Sequence, residues 1–581
     1  MSENTQQQTR EQLARDEAGH TAIRPRAALA LTCVFLLACA AVPLSQMAGE
    51  WSDARSGGKP FSPQELDLFR RMPDVTAPFR AKGLSLSAIV EANRLLLRHL
   101  TEFEDRLDDE SRLGLWIRPR LQALLGGLPG VGNEQAYIGQ DGWLFYRPDM
   151  DYLTGPGFLE PRHLARRAKS GSEWKAPPLP DPRPAILDFK RQLDKRGILL
   201  VVMPTPVKPG VHAERFAPGL AAMPRALHNR SYAEFIRTLE QEGVLVFDPS
   251  DLLVRRKLQT GTPQYLATDT HWRPEAMEAV AQELAHIVQT TIAQRHGQGQ
   301  GQVEGQVAVQ GEPGADTTPV TTQPLEWKAR GDIALMLDLP ADQTLFPPET
   351  VQLRQVLDGK GRFWRSSETA DVLVLGDSFS NIYSMEAMGW GESAGFVEQF
   401  ASYLGRPVDR LVRNDGGAFA TRDMLGRELA RGRDRLEGKR VVVWQFAARE
   451  LAAGDWRLIT MERQSPPETA FIVPPSGEAR VVSGIVREVS PAPRPGSVPY
   501  RDHIVAVHLV DLPDNGEAIV YMRSMADNAW TRAARLRNGE EITVRLQRWA
   551  DVATRFDGIN RSELDKMELQ LQEPCWGEWT E

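Results

Sequence analysis

The chain has 581 residues, which is enough for more than one domain with its own core. Its formal net charge of −8 excludes the basic footprint of a protein that binds nucleic acid through phosphates, so we expect no nucleic-acid partner. It has only three cysteines, and two of them lie in one apolar segment near the start. The region between Cys39 and Cys575 therefore has no disulfide, cysteine zinc site or cysteine nucleophile of its own.

Residues 27–48, "AALALTCVFLLACAAVPLSQMA", are almost entirely apolar and long enough to cross a bilayer. Arg24 and Arg26 precede them, and positive charge on this side predicts a cytoplasmic tail with the rest of the chain exported. A cleaved signal peptide is the alternative interpretation. The long polar tail and the absence of a small-x-small cleavage site favour an uncleaved, single-pass anchor.

The next region, residues 49–130, has the pattern of amphipathic helices. In "LSAIVEANRLLLRHLTEFEDRLDDESRL" apolar residues recur every three or four positions with charges between them. The pattern predicts a helical stalk, and helices packed on the main domain are the alternative.

Helices and buried strands then alternate along the chain. A "DG" turn in "YIGQDGWLFYR" predicts a hairpin entering a sheet. Four continuous apolar runs, most of them preceded by a helical stretch, have the character of strands buried on both faces. They are "ILLVVMPTP", "VLVFDPS", "ADVLVLGDS" and "KRVVVWQF". The alternation predicts an α/β fold with a doubly wound parallel sheet.

Two later segments have a different composition. Residues 296–324 are rich in Gly, Gln, Thr and Pro without periodicity, which predicts a flexible insertion. From residue 465 onward, short alternating strands separated by turns predict a small antiparallel β domain of the OB type. Such a domain can bind carbohydrate or brace the main domain, and the sequence leaves both open.

Three polar residues lie where we expect the carboxyl ends of the parallel strands, which is where α/β sheets bind ligands. Ser378 follows the run "VLVLGD", and Asp269 and His271 lie in "YLATDTHWRP" before a helix. A serine hydroxyl needs a base to take its proton, and imidazole suits this because its pKa lies near neutrality. An extended Asp-x-His segment directs both side chains to one side, so the aspartate can orient the imidazole. The spacing indicates a serine hydrolase-type triad, although a capping aspartate and a surface histidine would look the same.

The motifs carry a family resemblance over roughly residues 130–455. "GDSFS" resembles the nucleophile block of the SGNH hydrolase superfamily, and "DTHW" upstream of it resembles the arrangement in the alginate O-acetyltransferase family. "GQDGWLFYR" and "VVVWQFAAREL" are similar to the opening and closing elements of that family. The resemblance implies that Ser378 is the nucleophile, His271 the base and Asp269 its orienting partner.

The hydrogen-bond donors of an oxyanion hole are expected from two segments of the chain. The backbone amide of Ser378 is one candidate donor. The stretch "VRNDGGAFA" lies where SGNH-type proteins bring a glycine or asparagine to the site, which makes Asn414, Gly416 and Gly417 candidates for oxyanion or substrate binding. An ordinary strand-to-helix turn is the alternative.

Three further residues have weaker signals. Asp377 is expected to anchor the turn through hydrogen bonds rather than to act as a second base. Arg449 and Lys208 can meet an anionic sugar, but surface salt bridges explain them equally well. We expect neither a metal nor a cofactor.

The resemblance implies an O-acetyltransferase that acetylates an exported polysaccharide in the periplasm while anchored in a bacterial inner membrane. A single anchor offers no channel, so the resemblance also implies a membrane-bound O-acyltransferase partner that supplies acetyl. An acetylesterase of the same fold and a polysaccharide-binding scaffold are the alternatives. The predicted segments are a cytoplasmic tail (1–26), a transmembrane anchor (27–48), a helical stalk (49–130), an SGNH hydrolase-like acetyltransferase domain (131–464) and the β-rich OB-like domain (465–581).

Overall fold

The computed structural model describes most of the chain beyond residue 24, and nearly all of the predicted cytoplasmic tail lies outside the described residues. The described ranges are 25–57, 66–70, 72–128, 130–171, 177–220, 223–299, 320–414, 416–465, 471–496, 498, 500–513, 516–556 and 558–580. The chain forms two compact units, Met1–Ala123 and Leu124–Glu581, and each is described by itself.

The first unit is helical, as the periodicity predicts for residues 49–130. Ser85 caps its longest amphipathic helix by accepting a hydrogen bond from the backbone N–H of Ala88 at 3.2 Å. One helix among the described residues has, in Pro25–Ser52, the length and apolar composition needed to cross a membrane, a test that a signal sequence also passes. The helices are α1 (Pro25–Gly57), α2 (Asp67–Arg70), α3 (Met72–Lys82), α4 (Leu86–Glu110) and α5 (Arg112–Gly127), which extends into the second unit.

The second unit is built on a five-stranded sheet in which every pair is parallel. Its strands, in spatial order, are β4 (Leu245–Val246), β3 (Leu199–Thr205), β9 (Val441–Ala447), β7 (Val372–Gly376) and β8 (Asp409–Val412). The four apolar runs supply four of these strands, which confirms the predicted α/β fold. β8 was not predicted, because two of its four residues are charged and the strand does not form an apolar run.

Both faces of the sheet are covered. Because side chains alternate along a strand, Val201 and Met203 of β3 pack into one core while Leu200 and Val202 pack into the other. Helices α12 (Pro274–Gly299) and α15 (Phe396–Leu404) cover the first face. Helices α8 (Pro182–Asp194), α10 (Tyr232–Gln241) and α16 (Ala420–Ala430) cover the second. The helices of this unit after α5 are α6 (Arg147–Thr154), α7 (Pro161–Arg167), α8 (Pro182–Asp194), α9 (Lys208–Val211), α10 (Tyr232–Gln241), α11 (Ser250–Thr260), α12 (Pro274–Gly299), α13 (Asp332–Met336), α14 (Ser378–Asn381), α15 (Phe396–Leu404), α16 (Ala420–Ala430), α17 (Glu450–Ala453), α18 (Trp549–Phe556) and α19 (Met567–Gln570).

Two antiparallel ribbons lie outside the parallel sheet. The predicted "DG" hairpin forms from β1 (Ala136–Ile138) and β2 (Leu144–Tyr146), but it makes a separate two-stranded sheet. The second ribbon, β5 (Thr321–Ala329) with β6 (Glu349–Leu357), was not predicted. The predicted insertion 296–324 is therefore too long at both ends, because α12 runs to Gly299 and β5 begins at Thr321. Residues 300–319 lie outside the described part of the chain.

The C-terminal region forms a closed barrel. Five strands make a ring in which β10 pairs with β11, β11 with β12, β12 with β16, β16 with β14, and β14 with β10. A purely antiparallel sheet was predicted, but the sheet is mixed because β12 and β16 run parallel. The chain passes through α18 and α19 before β16 and therefore re-enters the sheet in the same direction as β12. The strands are β10 (Ala479–Val489), β11 (His503–Leu512), β12 (Gly516–Ala526), β14 (Glu541–Arg548) and β16 (Pro574–Trp579), flanked by β13 (Ala529–Trp530) and β15 (Asn560–Ser562).

Candidate active site

Ser378 follows the carboxyl end of β7 and is the first residue of the short helix α14. Asp377 precedes it and caps this helix by accepting a hydrogen bond from the backbone N–H of Phe379 at 2.9 Å. The same oxygen, Oδ1, also accepts from Nε2 of Gln445 at 2.8 Å, and the other carboxylate oxygen accepts from the backbone N–H of Ala447 at 2.6 Å. These contacts confirm that Asp377 anchors the turn, and they fix Ser378 at the edge of the sheet.

The helix that begins at Ser378 has only four residues. The stretch "NIYSMEAMGW" does not continue the helix beyond Asn381 but turns through a 3₁₀ segment at Glu386–Met388. Gly389 follows in the left-handed region, with φ of 85°. This turn brings Trp390 back toward the centre of the site, which a regular helix would not do.

His271 lies in a loop that is tied directly to the Ser378 helix. The indole Nε1 of Trp272 donates to the backbone oxygen of Phe379 at 3.1 Å. The hydroxyl of Tyr383 donates to the backbone oxygen of Trp272 at 2.6 Å. Both contacts are buried and lie next to His271 and Ser378. They hold together two loops that are more than a hundred residues apart in sequence.

The three predicted catalytic side chains form one hydrogen-bonded chain. The Nε2 atom of His271 lies 2.8 Å from the Oγ of Ser378, and its Nδ1 lies 2.7 Å from an Oδ1 of Asp269. All three residues are at most 2% exposed. The same Asp269 oxygen accepts the backbone N–H of His271 at 3.0 Å. The Asp-x-His segment is therefore bent rather than extended as predicted, and the bend folds the carboxylate onto its own imidazole.

Asp269 is surrounded by donors. Its Oδ2 accepts from the indole Nε1 of Trp390 at 2.8 Å and from the backbone N–H of Asp332 at 2.9 Å. Burial alone would raise the pKa of Asp269, but the charge and hydrogen bond of His271 and the backbone donors together lower it. The carboxylate therefore stays ionised and can hold the imidazole in the tautomer with hydrogen on Nδ1.

A second carboxyl group lies beside the imidazole. One oxygen of Asp332 accepts the backbone N–H of Thr270 at 2.7 Å, and the other lies 3.7 Å from Nδ1 of His271, buried and without a hydrogen-bond partner among the described residues. Burial is the main cause that raises the pKa of Asp332, and the negative charge of Asp269 raises it further. The sequence analysis missed this residue because "RGDIALM" carries no motif and follows the unpatterned insertion.

Asp269, His271 and Asp332 also have the residue types of a metal site, with potential ligand atoms within 4.8 Å of one another. The hydrogen bonds argue against that role. Both Asp269 oxygens already accept N–H groups, and Nε2 of His271 faces the hydroxyl of Ser378. A cation here would have to displace donors that the fold holds in place, so the donor set fits a triad better than a metal centre.

The triad opens into a cavity of about 220 Å³. Its wall includes all three predicted oxyanion or substrate-binding residues, Asn414, Gly416 and Gly417, alongside Ser378. Gly417 has φ of 71°, and a Cβ there would lie 2.7 Å from Oε2 of Glu450, so no larger residue fits without a shift. As the first residue of a helix, Ser378 has a backbone N–H without an intrahelical acceptor. The candidate oxyanion donors therefore lie on two elements that line the same cavity.

Of the two residues expected to meet an anionic sugar, Arg449 and Lys208, only Arg449 lines the cavity. It is half-buried and pairs with Asp149 at 3.1 Å. Burial would lower the pKa of Arg449, but Asp149 and neighbouring acidic groups raise it, so the guanidinium stays charged. Lys208 is instead fully buried and donates to backbone oxygens, including that of Asp269 at 3.0 Å. Both interpretations of Lys208, a contact with an anionic sugar and a surface salt bridge, are therefore wrong, because its side chain is buried and bound to backbone oxygens.

Replacing Asp377 with alanine should lower the free energy of unfolding by about 2–4 kcal/mol, because the cap is lost and buried donors lose their acceptor. Urea unfolding followed by tryptophan fluorescence measures this. Asp377→Asn is the matched control; it keeps one acceptor oxygen and should lose about half as much. An alanine variant that is as stable as the wild type but inactive would give Asp377 a chemical role instead of an anchoring one.

The chain is similar to curated relatives named "Probable alginate O-acetylase AlgJ". It is 31% identical to the Pseudomonas aeruginosa protein over 195 residues, which is 32% of this chain and 42% of the relative. It is 27% identical to the Pseudomonas fluorescens protein over 311 residues, which is 51% of this chain and 66% of the relative. The chain thus spans less than two thirds of the length of either relative.

Two solved structures are also similar. One is the O-acetyltransferase domain of Pseudomonas putida AlgJ, with a TM-score of 0.37, 21% identity and coverage of 55% of this chain and 92% of that one. The other is Pseudomonas aeruginosa AlgX, with a TM-score of 0.36, 14% identity and coverage of 71% and 90%.

A family model described as "SGNH hydrolase-like domain, acetyltransferase AlgX" matches residues 136–448. The match covers more than half of the chain and includes Asp269, His271 and Ser378. It ends before the barrel, whose first strand starts at Ala479. The chain therefore belongs to the family of SGNH hydrolase-like acetyltransferase domains that this model describes.

Proposed function

We propose that this protein is an O-acetyltransferase that transfers acetyl groups to hydroxyls of an exported polysaccharide through a serine acyl-enzyme. The observation that carries the proposal is the hydrogen-bonded chain from Ser378 through His271 to Asp269, buried at the edge of the sheet and open to a cavity. Family membership supports the acyl-transfer chemistry. The name of the AlgJ relatives supports a polysaccharide acceptor.

The first half-reaction forms the acyl-enzyme. Nε2 of His271 takes the proton of Ser378 as Oγ attacks the acetyl carbonyl carbon, and a tetrahedral oxyanion forms. The bond between that carbon and the leaving group of the donor then breaks, and the imidazolium of His271 returns the proton to the leaving group. Asp269 remains ionised throughout and stabilises the imidazolium, because its own oxygens are held by Trp390 and Asp332.

The second half-reaction transfers the acetyl group. A sugar hydroxyl attacks the ester carbon of acetyl-Ser378 and gives its proton to Nε2 of His271. The bond to Oγ breaks, and Oγ takes that proton back, which restores the free enzyme. In both halves the backbone N–H of Ser378 and donors from Asn414, Gly416 and Gly417 stabilise the negative oxygen. An esterase would use the same steps with water in place of the sugar hydroxyl.

The apolar helix supports a proposal for the location. We place the protein in a bacterial inner membrane, with α1 as a single-pass anchor and the catalytic domain in the periplasm. Activated acetyl is made in the cytoplasm, and one helix offers no channel for it. A membrane-bound O-acyltransferase that passes acetyl across the bilayer is therefore the partner of this domain.

We propose that the barrel is an OB-type domain. The closed ring of five strands, in the order β10-β11-β12-β16-β14, supports this assignment. OB-type barrels serve as oligosaccharide-binding modules, so a carbohydrate-binding role is one of the two roles that the sequence left open. Bracing of the catalytic domain is the other.

Transfer and hydrolysis are separated by adding an acceptor. The full chain in detergent is given a nitrophenyl acetate as donor, with or without oligosaccharides of neutral and uronic acid sugars. We expect an acceptor to raise the release of nitrophenol and to gain acetyl groups that mass spectrometry detects, because deacylation by a bound sugar competes with deacylation by water. Release that is indifferent to every saccharide, with acetate as the sole product, would favour the esterase.

A further inference from the structure

The barrel touches the active site directly through Asn560. This residue is on β15, is 2% exposed, and accepts the backbone N–H of Asn414 on its Oδ1 at 3.1 Å. Asn414 lines the cavity with Ser378. Asn560 lies beyond the residues that match the family model, so the contact is made by a part of the chain that the family domain does not include.

The side chain of Asn414 is oriented by a second contact. Its Oδ1 accepts from Nδ2 of Asn381, on the same helix as Ser378, at 3.2 Å. With its backbone N–H and its amide oxygen both engaged, the group that Asn414 still offers is its amide Nδ2, and this atom has no partner among the described residues. An amide with a fixed oxygen and a free NH₂ facing a catalytic cavity is suited to donate to an oxyanion.

A second segment of the barrel region supports the other side of the site. Val498 lines the cavity, and the backbone N–H of Arg501 donates to the backbone oxygen of Ala387 at 3.0 Å. Three residues after Ala387, Trp390 holds the Asp269 carboxylate. The barrel region therefore contacts both the loop with the oxyanion candidate and the segment that orients the triad.

We propose that the barrel is a structural part of the catalytic site, and that Asn560 is a positioning residue that holds Asn414 as an oxyanion donor. The inference rests on the proposed function and extends it to a residue outside the family domain. Asn560 itself touches no reacting atom and acts through Asn414. Its own Nδ2 is buried and has no hydrogen-bond partner in the part of the chain that the structure describes, so the oxygen is the functional end of the side chain.

Replacing Asn560 with alanine should lower kcat about 10- to 100-fold and leave the KM for the acetyl donor within about twofold, because a displaced oxyanion donor acts only in the transition state. Hydrolysis of a nitrophenyl acetate by the full chain measures both constants. Asn560→Asp should recover most of the loss, because the carboxyl group retains an acceptor oxygen in either protonation state.

Gln572→Ala is the matched control for a general loss of barrel stability. Gln572 is also a buried amide of the barrel, 8% exposed, and its Nε2 donates to the backbone oxygen of Glu568 at 3.0 Å, away from the site. We expect this variant to keep the wild-type kcat. Thermal unfolding of both variants reports their stability, and similar Tm values with different kcat values would exclude a purely structural effect.

A double mutant tests whether Asn560 acts through Asn414. In an Asn414→Ala background, Asn560→Ala should change kcat by less than about twofold, because the donor that it positions is already absent. Equal losses from Asn560→Ala in both backgrounds, or equal kcat for the Asn560→Ala and Gln572→Ala variants, would overturn the inference while leaving the acyltransferase proposal intact. Wild-type hydrolysis that does not depend on Ser378 would overturn both.

Discussion

Replacing Ser378 with alanine should reduce turnover of the acetyl donor by about 10⁴- to 10⁶-fold, because the acyl-enzyme can no longer form and only binding and oxyanion stabilisation remain. The variant should fold normally. The Oγ of Ser378 has a hydrogen bond with His271, and a neutral imidazole next to the cavity can exchange that contact for water. Initial rates of nitrophenol release and the absence of an acetylated protein by mass spectrometry measure the loss.

Ser380 provides a matched control two residues away. It is on the same helix, fully buried, and its hydroxyl donates to Oε1 of Gln445 at 2.7 Å rather than to the imidazole. Ser380→Ala should cost about 1 kcal/mol of stability and keep the rate within about tenfold of wild type. A Ser378→Ala variant that retained a tenth of the wild-type rate, or remained acetylated, would remove the nucleophile from the mechanism.

The parts of this site that the sequence predicted are those set by local chain geometry. Ser378 could be placed because an apolar run ending in Gly-Asp-Ser indicates the carboxyl end of a buried strand. Asp269 and His271 could be paired because only one residue separates them, although the segment is bent and not extended as predicted. Their approach to Ser378 required the sheet topology, which the alternation of helices and strands predicted in outline.

The parts that the sequence did not predict depend on tertiary contacts. Asp332 and Trp390 reach Asp269 from segments with no pattern of their own, one after an unpatterned insertion and one after a helix that ends early. Asn560 contacts Asn414 across 146 residues of sequence. Without an apolar period or a catalytic spacing to mark them, such residues are visible only once the fold has brought them together.

The barrel is the clearest case of this limit. Its strands were predictable from alternation, but its closure and its parallel β12–β16 pair follow from where the chain re-enters. Its contacts with the catalytic domain favour bracing among the two roles that the sequence left open. A brace that also positions Asn414 explains why a domain outside the family match lies against the active-site cavity.

Asp269→Asn should lower kcat/KM about 10³- to 10⁴-fold and move the acid limb of its pH profile to lower pH. Burial alone would lower the pKa of His271, but the charge of Asp269, its hydrogen bond and the charge of Asp332 raise that pKa above its ordinary value. The base must be neutral to accept the proton of Ser378, so activity is lost as pH falls through this raised pKa. Without the Asp269 charge, burial dominates and the limb shifts down.

The same substitution should change the pH dependence of stability, which gives a readout independent of activity. His271, with a raised pKa in the folded state, stabilises the fold fully below its unfolded pKa, and this contribution is lost as pH rises through the folded value. Asp269, with a lowered pKa, stabilises it above its unfolded pKa, and this contribution is lost as pH falls through the folded value. The pair therefore contributes most between about pH 4 and about pH 6.5.

Urea unfolding as a function of pH should show the largest difference between wild type and Asp269→Asn near pH 5 and a smaller one above the raised pKa of His271, where the neutral imidazole no longer carries the partner charge. Asp409→Asn is the control, because Asp409 is an equally buried carboxylate whose partners are Arg435 and Lys439, away from the cavity. It should lose stability at all these pH values without moving the acid limb. An unchanged limb in Asp269→Asn would mean that this carboxylate does not set the basicity of His271.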